Sequence, residues 1–270
     1  MQISSIKRVL KYILIPLAVF VFDVVLSIAV NKMIPNEPVI AMAVEDACMV
    51  AVSMFVALKL FGDLGFTRGE RYRFSPMGLT VAFFAFVLGY MFSQGFSAGL
   101  RTMYPDVFVQ FFDDVSEKQA PAYVLFCVTL GPVAEELLYR GLLYRGSREV
   151  VGRIPAFILS TLLFVAAHGT IIHIPVAIMT SLMCVWAYEL TGSLLWSIGV
   201  HCLHNLFGVS FSVWTGVSGT VFGVMTVVVA AAFCVSLIFM NETRDFLRKG
   251  RFRSLEAWVD EQRKKPPKDA

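Results

Sequence analysis

The stretch VLKYILIPLAVFVFDVVLSIAV, from Val9 to Val30, is an almost unbroken run of apolar residues. A helix needs about 20 such residues to cross the hydrocarbon core of a bilayer. The run is too long for the apolar part of a signal peptide, and no small-residue cleavage site follows it. We therefore interpret it as the first membrane span.

Comparable apolar runs recur along the chain, and the composition agrees with them. Of the 270 residues, 57% are hydrophobic and only 16% are charged, whereas soluble domains carry about 25% charged residues. The mean hydropathy is +0.71. The sequence therefore predicts an all-α polytopic membrane protein, with about eight transmembrane helices around an intramembrane polar site. The predicted spans are 9–30, 38–60, 76–97, 121–140, 154–170, 174–190, 193–208 and 212–240.

The loop charges predict the orientation of these spans. Lysine and arginine are enriched in short cytoplasmic loops. In this chain they occur before span one, between spans two and three, after span four and in the C-terminal tail. The loop 98–120 is mainly acidic and is predicted outside. Eight spans satisfy every loop, with both termini cytoplasmic. The basic residues concerned are Lys7, Arg8, Lys11, Lys59, Arg68, Arg71, Arg73, Arg145, Arg148, Arg153, Arg244, Arg248, Lys249, Arg251 and Arg253.

Two kinds of site are disfavoured by the sequence. The five cysteines stand singly in apolar runs, so disulfides and thiolate metal sites are not expected, and we interpret all five as buried apolar side chains. The basic tail 244–270 is expected to be exposed to solvent or to contact anionic lipid. No nucleic-acid partner is predicted for it.

The segment VAEELLYRG, Val133–Gly141, places two carboxylates at membrane depth, where charges are costly. Glu136 and Arg140 are four residues apart, so a helix would place them on one face as an ion pair. Glu135 points about 100° away from Glu136 around the helix. It therefore requires a partner on another helix or a wet cavity.

The histidines supply candidate partners. His168 ends span five, while His201 and Asn205 lie one turn apart in span seven. With Glu135, they form a set from three helices that a bundle can bring together as a catalytic or metal site. Spacing alone equally allows simple hydrogen bonds between helices.

Other polar residues were assigned outside this set. His173 is predicted in a surface connection, and His204 next to the site or between helices. Three further acids, Asp23, Glu45 and Asp46, lie inside predicted spans, but the sequence identifies no partner for them.

Three motifs occur in order: EELLYR fits EExxxR, FVAAH fits FxxxH and HCLHN fits HxxxN. Together they resemble the CPBP intramembrane proteases, which comprise CAAX prenyl endopeptidases and bacteriocin-processing or immunity (Abi) proteins. The resemblance covers residues 121–208 and divides the chain into parts of one membrane domain. These are N-terminal membrane helices (1–120), the catalytic core (121–208), the last span (209–243) and a basic cytoplasmic tail (244–270).

The resemblance implies an intramembrane endopeptidase acting on a membrane-associated or leader-peptide substrate. Glu135 and His168 would activate water, and His201 and Asn205 would stabilise the oxyanion. Glu136 and Arg140 would be supporting residues.

A metal is possible in this family pattern. Glu135, His168 and His201 could hold zinc and leave a position open for water. The absence of an HExxH motif and the presence of an asparagine favour a mechanism that requires no cofactor.

Two alternative functions remain open at this stage. The first is a non-catalytic membrane scaffold or bacteriocin-immunity protein of the same fold. The second is a proton-coupled transporter, which would predict broken helices and inverted repeats, and the sequence shows neither. The expected partners are a peptide or protein substrate at the membrane and the bilayer itself.

Overall fold

The computed structural model describes residues 2–66, 75–103, 120–168, 173–210 and 219–249, together with residues 254 and 257. Within these ranges the chain is helical and contains no strand, which confirms the predicted all-α class. Each of the eight predicted spans is mainly helical over its described part. The helices are α1 Gln2–Val9, α2 Ile15–Met33, α3 Pro38–Phe61, α4 Pro76–Met103, α5 Ala120–Val128, α6 Leu130–Glu136, α7 Arg145–Val151, α8 Arg153–Ala167, α9 Ile174–Thr191, α10 Leu194–Ser210, α11 Gly219–Ile238 and α12 Met240–Lys249, with π-helical segments at Leu10–Leu14 and Leu137–Tyr144.

Four helical stretches of the described chain are long and apolar enough to cross a bilayer. A fifth is counted if Gly223–Ile238 and Met240–Lys249, which meet at 95°, form one bent span. Together with the many large apolar side chains on its surface, this makes the chain an integral, polytopic membrane protein. The total of eight crossings stays a prediction. The four stretches are Ser5–Met33, Pro38–Phe61, Pro121–Val151 and Ile174–Thr191.

The predicted span 121–140 is broken, which the sequence analysis did not foresee. Helix α5 ends at Val128, and Thr129 has φ −121° and ψ −76°, outside the helical region. The cause is Pro132, because a proline has no N–H for the carbonyl four residues earlier and its ring clashes with that carbonyl. The carbonyl concerned belongs to Val128, so the break falls where the proline requires it.

A π-helical segment follows this break. Leu137–Tyr144 winds as a π-helix directly after Glu136, and every one of its residues is buried. Such segments are rare and occur frequently at functional sites. The chain therefore changes its helical winding on both sides of the two glutamates.

Helix α9 lies at the centre of the bundle. Its residues from Met179 to Leu190 are all buried, and it packs against α4, α8, α10 and α11. A helix that is buried on every side belongs to a core. The segment carrying the glutamates and the π-helical residues after them packs against α3, α8 and α10, so Glu136 and Arg140 face protein instead of lipid.

The five cysteines are free, but they are not all buried. Cys184 is buried, three are partly buried and Cys48 is exposed. The prediction of burial was wrong for Cys48 because an apolar side chain in a membrane protein can face lipid at no cost. An apolar sequence context therefore does not imply burial within the protein.

Candidate active site

Glu136 lies at the centre of the buried polar cluster. Its Oε1 atom is 2.7 Å from Arg140 Nη1, and both side chains are fully buried, which confirms the ion pair predicted from their spacing. Two residues of α10 also bind Glu136. His201 Nδ1 lies 2.8 Å from Oε1, and Ser197 donates its hydroxyl proton to Oε2 over 2.5 Å. Glu136 is thus the acceptor that joins its own helix to α10.

Glu135 lies on the other side of the His201 ring. Its Oε2 atom is 3.5 Å from His201 Nε2, and its side chain is 33% exposed. That oxygen is itself buried and makes no hydrogen bond. The imidazole of His201 is therefore held between two carboxylates, one fully buried and one open to the surface.

This arrangement restricts the protonation of His201. Glu136 as a carboxylate only accepts hydrogen bonds, so Nδ1 of His201 donates. A neutral ring would then point the lone pair of Nε2 at Glu135 Oε2. A proton on either of these two atoms removes the repulsion and makes the contact favourable.

Asn205 is fixed by the helix break. Its Nδ2 atom donates to the carbonyl oxygen of Cys127 over 2.9 Å, at the end of α5, where carbonyl groups lack their intrahelical donors. Because an amide carries two N–H groups, one remains for another acceptor. Asn205 lies one turn beyond His201 on α10, as its spacing predicts.

His168 is connected to the cluster through Phe164. Its Nδ1 lies 2.8 Å from the Phe164 carbonyl oxygen, and the two rings are 4.3 Å apart. The Phe164 ring is in turn 5.9 Å from the His201 ring and 4.6 Å from Arg140 Cζ. The structure thus brings Glu135, Glu136, Arg140 and His201 together, whereas His168 makes no hydrogen bond to them.

One group of residues has the composition of a metal site. Ligand atoms of Glu136, Cys184 and His201 lie within 4.8 Å of one another. They do not fit a catalytic metal, because such a site keeps an open position. All three residues are buried, Glu136 is occupied by Arg140 and Ser197, and the Cys184 thiol points to the Ser197 carbonyl oxygen at 3.7 Å. The set expected from the sequence, Glu135, His168 and His201, is not gathered to that distance.

The structure adds residues that the sequence analysis left out. Asp23, Glu45 and Asp46, from α2 and α3, interact electrostatically with Glu135, so three further acidic side chains lie near the candidate base. Ser197 was missed, although it lies four residues before His201 and hence on the same helix face.

The two remaining histidines are separate from this cluster. His204 is buried, with its Nδ1 atom 3.2 Å from Thr180 Oγ1 and its ring 5.5 Å from that of Tyr90. It therefore joins helices, which is one of the two roles predicted for it. His173 immediately precedes α9 and is partly buried.

Comparison with known proteins bears on this region of the chain. Residues 117–207 match the family model described as type II CAAX prenyl endopeptidase Rce1-like. This region is therefore similar to a family of intramembrane proteases, and the buried polar site lies among the helices it comprises. The matched region contains all the site residues that the sequence predicts, and the match supports the CPBP/CAAX protease family for this region of the chain. No curated protein and no solved structure matches the chain.

Proposed function

We propose that this protein is an intramembrane endopeptidase in which Glu135 acts as the general base on a water molecule. The observation that carries the proposal is the placement of His201 between Glu135 and the buried Glu136. A structural role alone would require a partner for Glu136, which Arg140 already provides. It would not require a second, partly exposed carboxylate on the opposite nitrogen of the ring.

The first step follows from the exposure of Glu135. Its partly exposed side chain can reach water, and a carboxylate within hydrogen-bond reach of that water can accept its proton. Glu135 takes one proton from the water as the oxygen attacks the carbonyl carbon of the peptide. When the C–N bond breaks, Glu135 returns that proton to the leaving amine, so the carboxylate is regenerated.

The tetrahedral intermediate carries an oxyanion, which needs donors that are already in position. We assign this role to the Nε2–H of His201 and the second N–H of Asn205. Glu136 holds His201 in orientation through Nδ1, and Cys127 holds Asn205 through its carbonyl oxygen. Both donors are therefore fixed by partners that take no part in the reaction.

His168 would assist the water from a greater distance. Phe164 binds its Nδ1, so Nε2 is the nitrogen available to a water molecule. Catalytic contacts are often long or bridged by water before substrate binds, so this role does not require a direct hydrogen bond between His168 and Glu135 in the free protein.

A mechanism that requires no metal fits this set best, because within the described part of the chain Glu135 belongs to no group of three clustered ligands. Should zinc bind, Glu135, His168 and His201 would be its ligands, and it would supply Lewis-acid activation of water. A chelator such as 1,10-phenanthroline is therefore expected to leave the cleavage rate unchanged. A loss of activity that added zinc restores would contradict the metal-free assignment.

Peptide cleavage tests the function directly. We expect the purified protein in proteoliposomes to cleave a farnesylated peptide with a C-terminal CAAX sequence, or a membrane-anchored leader peptide, at a single bond located by mass spectrometry. A His201→Asn variant should lose at least about 100-fold in rate, since it removes an oxyanion donor.

The unprenylated form of the same CAAX peptide shows whether the lipid is required. If no peptide is cleaved by the folded protein, the scaffold or immunity function replaces this proposal. The break at Thr129 gives the transporter alternative one feature that it predicts. Proton uptake into the same liposomes without cleavage would favour it.

We further propose that both termini face the cytoplasm. In a cysteine-free background, Asp113→Cys should react with a membrane-impermeant maleimide added outside intact cells, whereas Asp269→Cys should react only after permeabilisation. Both positions lie outside the described residues, and the expectation rests on the loop charges. The reverse labelling pattern would overturn the orientation.

A further inference from the structure

A second buried carboxylate, Glu189 near the end of α9, gathers arginines from three other elements. Its side chain is fully buried, and Tyr144 donates its hydroxyl to Oε1 over 2.9 Å. Arg148 Nη1 lies 2.8 Å from Oε1, Arg153 Nε 3.0 Å from Oε2 and Arg244 Nη2 3.8 Å from Oε2. We call Arg148, Arg153, Arg244 and Glu189 the arginine cluster.

The charges of this cluster do not balance. Three guanidinium groups face one carboxylate, and Arg248 adds a further positive charge that acts on Arg244. In the described part of the chain, Glu189 is the one acid among the charges that act on Arg244. Among the described residues, Arg148, Arg153 and Arg244 thus exceed Glu189 by two positive charges, and such an excess is costly beside an apolar surface.

The arginines also keep unused donors. Arg153 Nε and Glu189 Oε2 are close but make no hydrogen bond, and Arg148 contacts Glu189 through Nη1. The three arginine side chains are 24–30% exposed. Each can therefore present N–H groups to a ligand while still bound to Glu189, and planar guanidinium groups suit phosphate oxygens.

Apolar side chains border the cluster. Arg153 donates to the carbonyl oxygen of Leu237, and the next two residues, Ile238 and Phe239, are 57% and 60% exposed. Val151, between Arg148 and Arg153, is 44% exposed. Such a surface can bind a phospholipid, because the cationic groups contact the headgroup while the exposed apolar residues contact the adjoining part of the acyl chains.

We propose that the arginine cluster binds a phosphate-bearing anion, and that the adjoining apolar residues make the headgroup of an acidic phospholipid its source. Basic pockets between helices at the cytoplasmic side bind such headgroups, and the loop charges predict this end of the bundle to be cytoplasmic. The anion supplies the negative charge that Glu189 alone does not. Since α9 also carries Cys184, which lies near Glu136 and accepts a hydrogen bond from Ser197, the ligand would stabilise the helix on which the polar site packs.

Thermal unfolding of the detergent-solubilised protein tests this site. We expect phosphatidylglycerol, mixed one to four with phosphatidylcholine, to raise the Tm relative to phosphatidylcholine alone, because a ligand that binds the native state stabilises it. Arg148→Gln should weaken phosphatidylglycerol binding about five-fold. It should not lower the Tm in phosphatidylcholine, because it removes repulsion from an overcharged cluster.

Lys59→Gln is the matched control, since it removes one exposed charge from the end of α3 and should keep the full lipid effect. Arg244→Gln provides a second removal should Arg148→Gln fold poorly. The proposal is overturned if phosphatidylglycerol has no effect on the wild type, or if it stabilises both arginine variants as strongly. A Tm lowered equally in both lipids would show a purely structural cluster and would also overturn it.

Inorganic phosphate distinguishes the source of the anion. Stabilisation by the lipid but not by millimolar phosphate assigns the site to a headgroup. Equal stabilisation by phosphate supports the same chemistry but assigns the site to a free anion. Neither result depends on peptide cleavage, so the proposal can fail or succeed independently of the protease function.

Discussion

Glu135→Gln is expected to abolish peptide cleavage while leaving the protein folded. The substitution keeps the size of the side chain but removes the group that accepts the proton from water. General bases contribute about 10²–10⁴-fold to rate, so the cleavage rate should fall at least about 100-fold. The measurement is the rate of product formation by purified protein, compared at equal amounts of folded, monodisperse material.

The stability of this variant should be unchanged or slightly raised. Glu135 makes no hydrogen bond through its buried oxygen, and repulsion from three neighbouring acids offsets its attraction to the His201 ring. Glu149→Gln is the matched control, because Glu149 is exposed on α7, outside the site. Full cleavage by folded Glu135→Gln would end the proposed mechanism and favour the scaffold function.

Glu136→Gln should lower both activity and stability. It leaves the fully buried Arg140 without its counter-charge, and removing one partner of a buried ion pair costs about 3–5 kcal/mol. It also removes the acceptor of His201 and Ser197. We expect a lower Tm and a lower yield from membranes, together with loss of cleavage, whereas Glu149→Gln should resemble the wild type in both measurements.

A double variant separates the two functions of Glu136. Glu136→Gln combined with Arg140→Met removes both charges, and replacing a buried ion pair in this way is often neutral for stability. We therefore expect the Tm to recover while cleavage stays absent, because His201 is still without its carboxylate. Recovery of cleavage in the double variant would show that Glu136 acts only as the partner of Arg140.

The sequence predicted the helical class and the Glu136–Arg140 pair because both depend on local properties. Apolar length determines which segments can enter a membrane, and a spacing of four residues determines which side chains share a helix face. The same helix geometry predicted that the Glu135 side chain points away from the Glu136–Arg140 pair. These predictions needed no knowledge of how the helices pack.

The rest depended on contacts between distant segments. The approach of Asp23, Glu45 and Asp46 to Glu135 follows from the packing of α2 and α3, which sequence periodicity does not specify in a membrane. Pro132 could have indicated the break at Thr129, since its effect four residues earlier is local. The separation of His168 from the glutamates, with Phe164 in between, could not be read from the FxxxH motif alone.

The ion pair within one helix also has a consequence for biosynthesis. Ser197 and His201 lie 61 and 65 residues beyond Glu136, so they are synthesised well after it. Arg140 is available as soon as the next turn leaves the ribosome, and the segment can partition into the membrane as a neutral unit. The later partners then bind a carboxylate that is already in place. The order of synthesis thus lets the chain insert a charged group first and surround it with its polar neighbours afterwards.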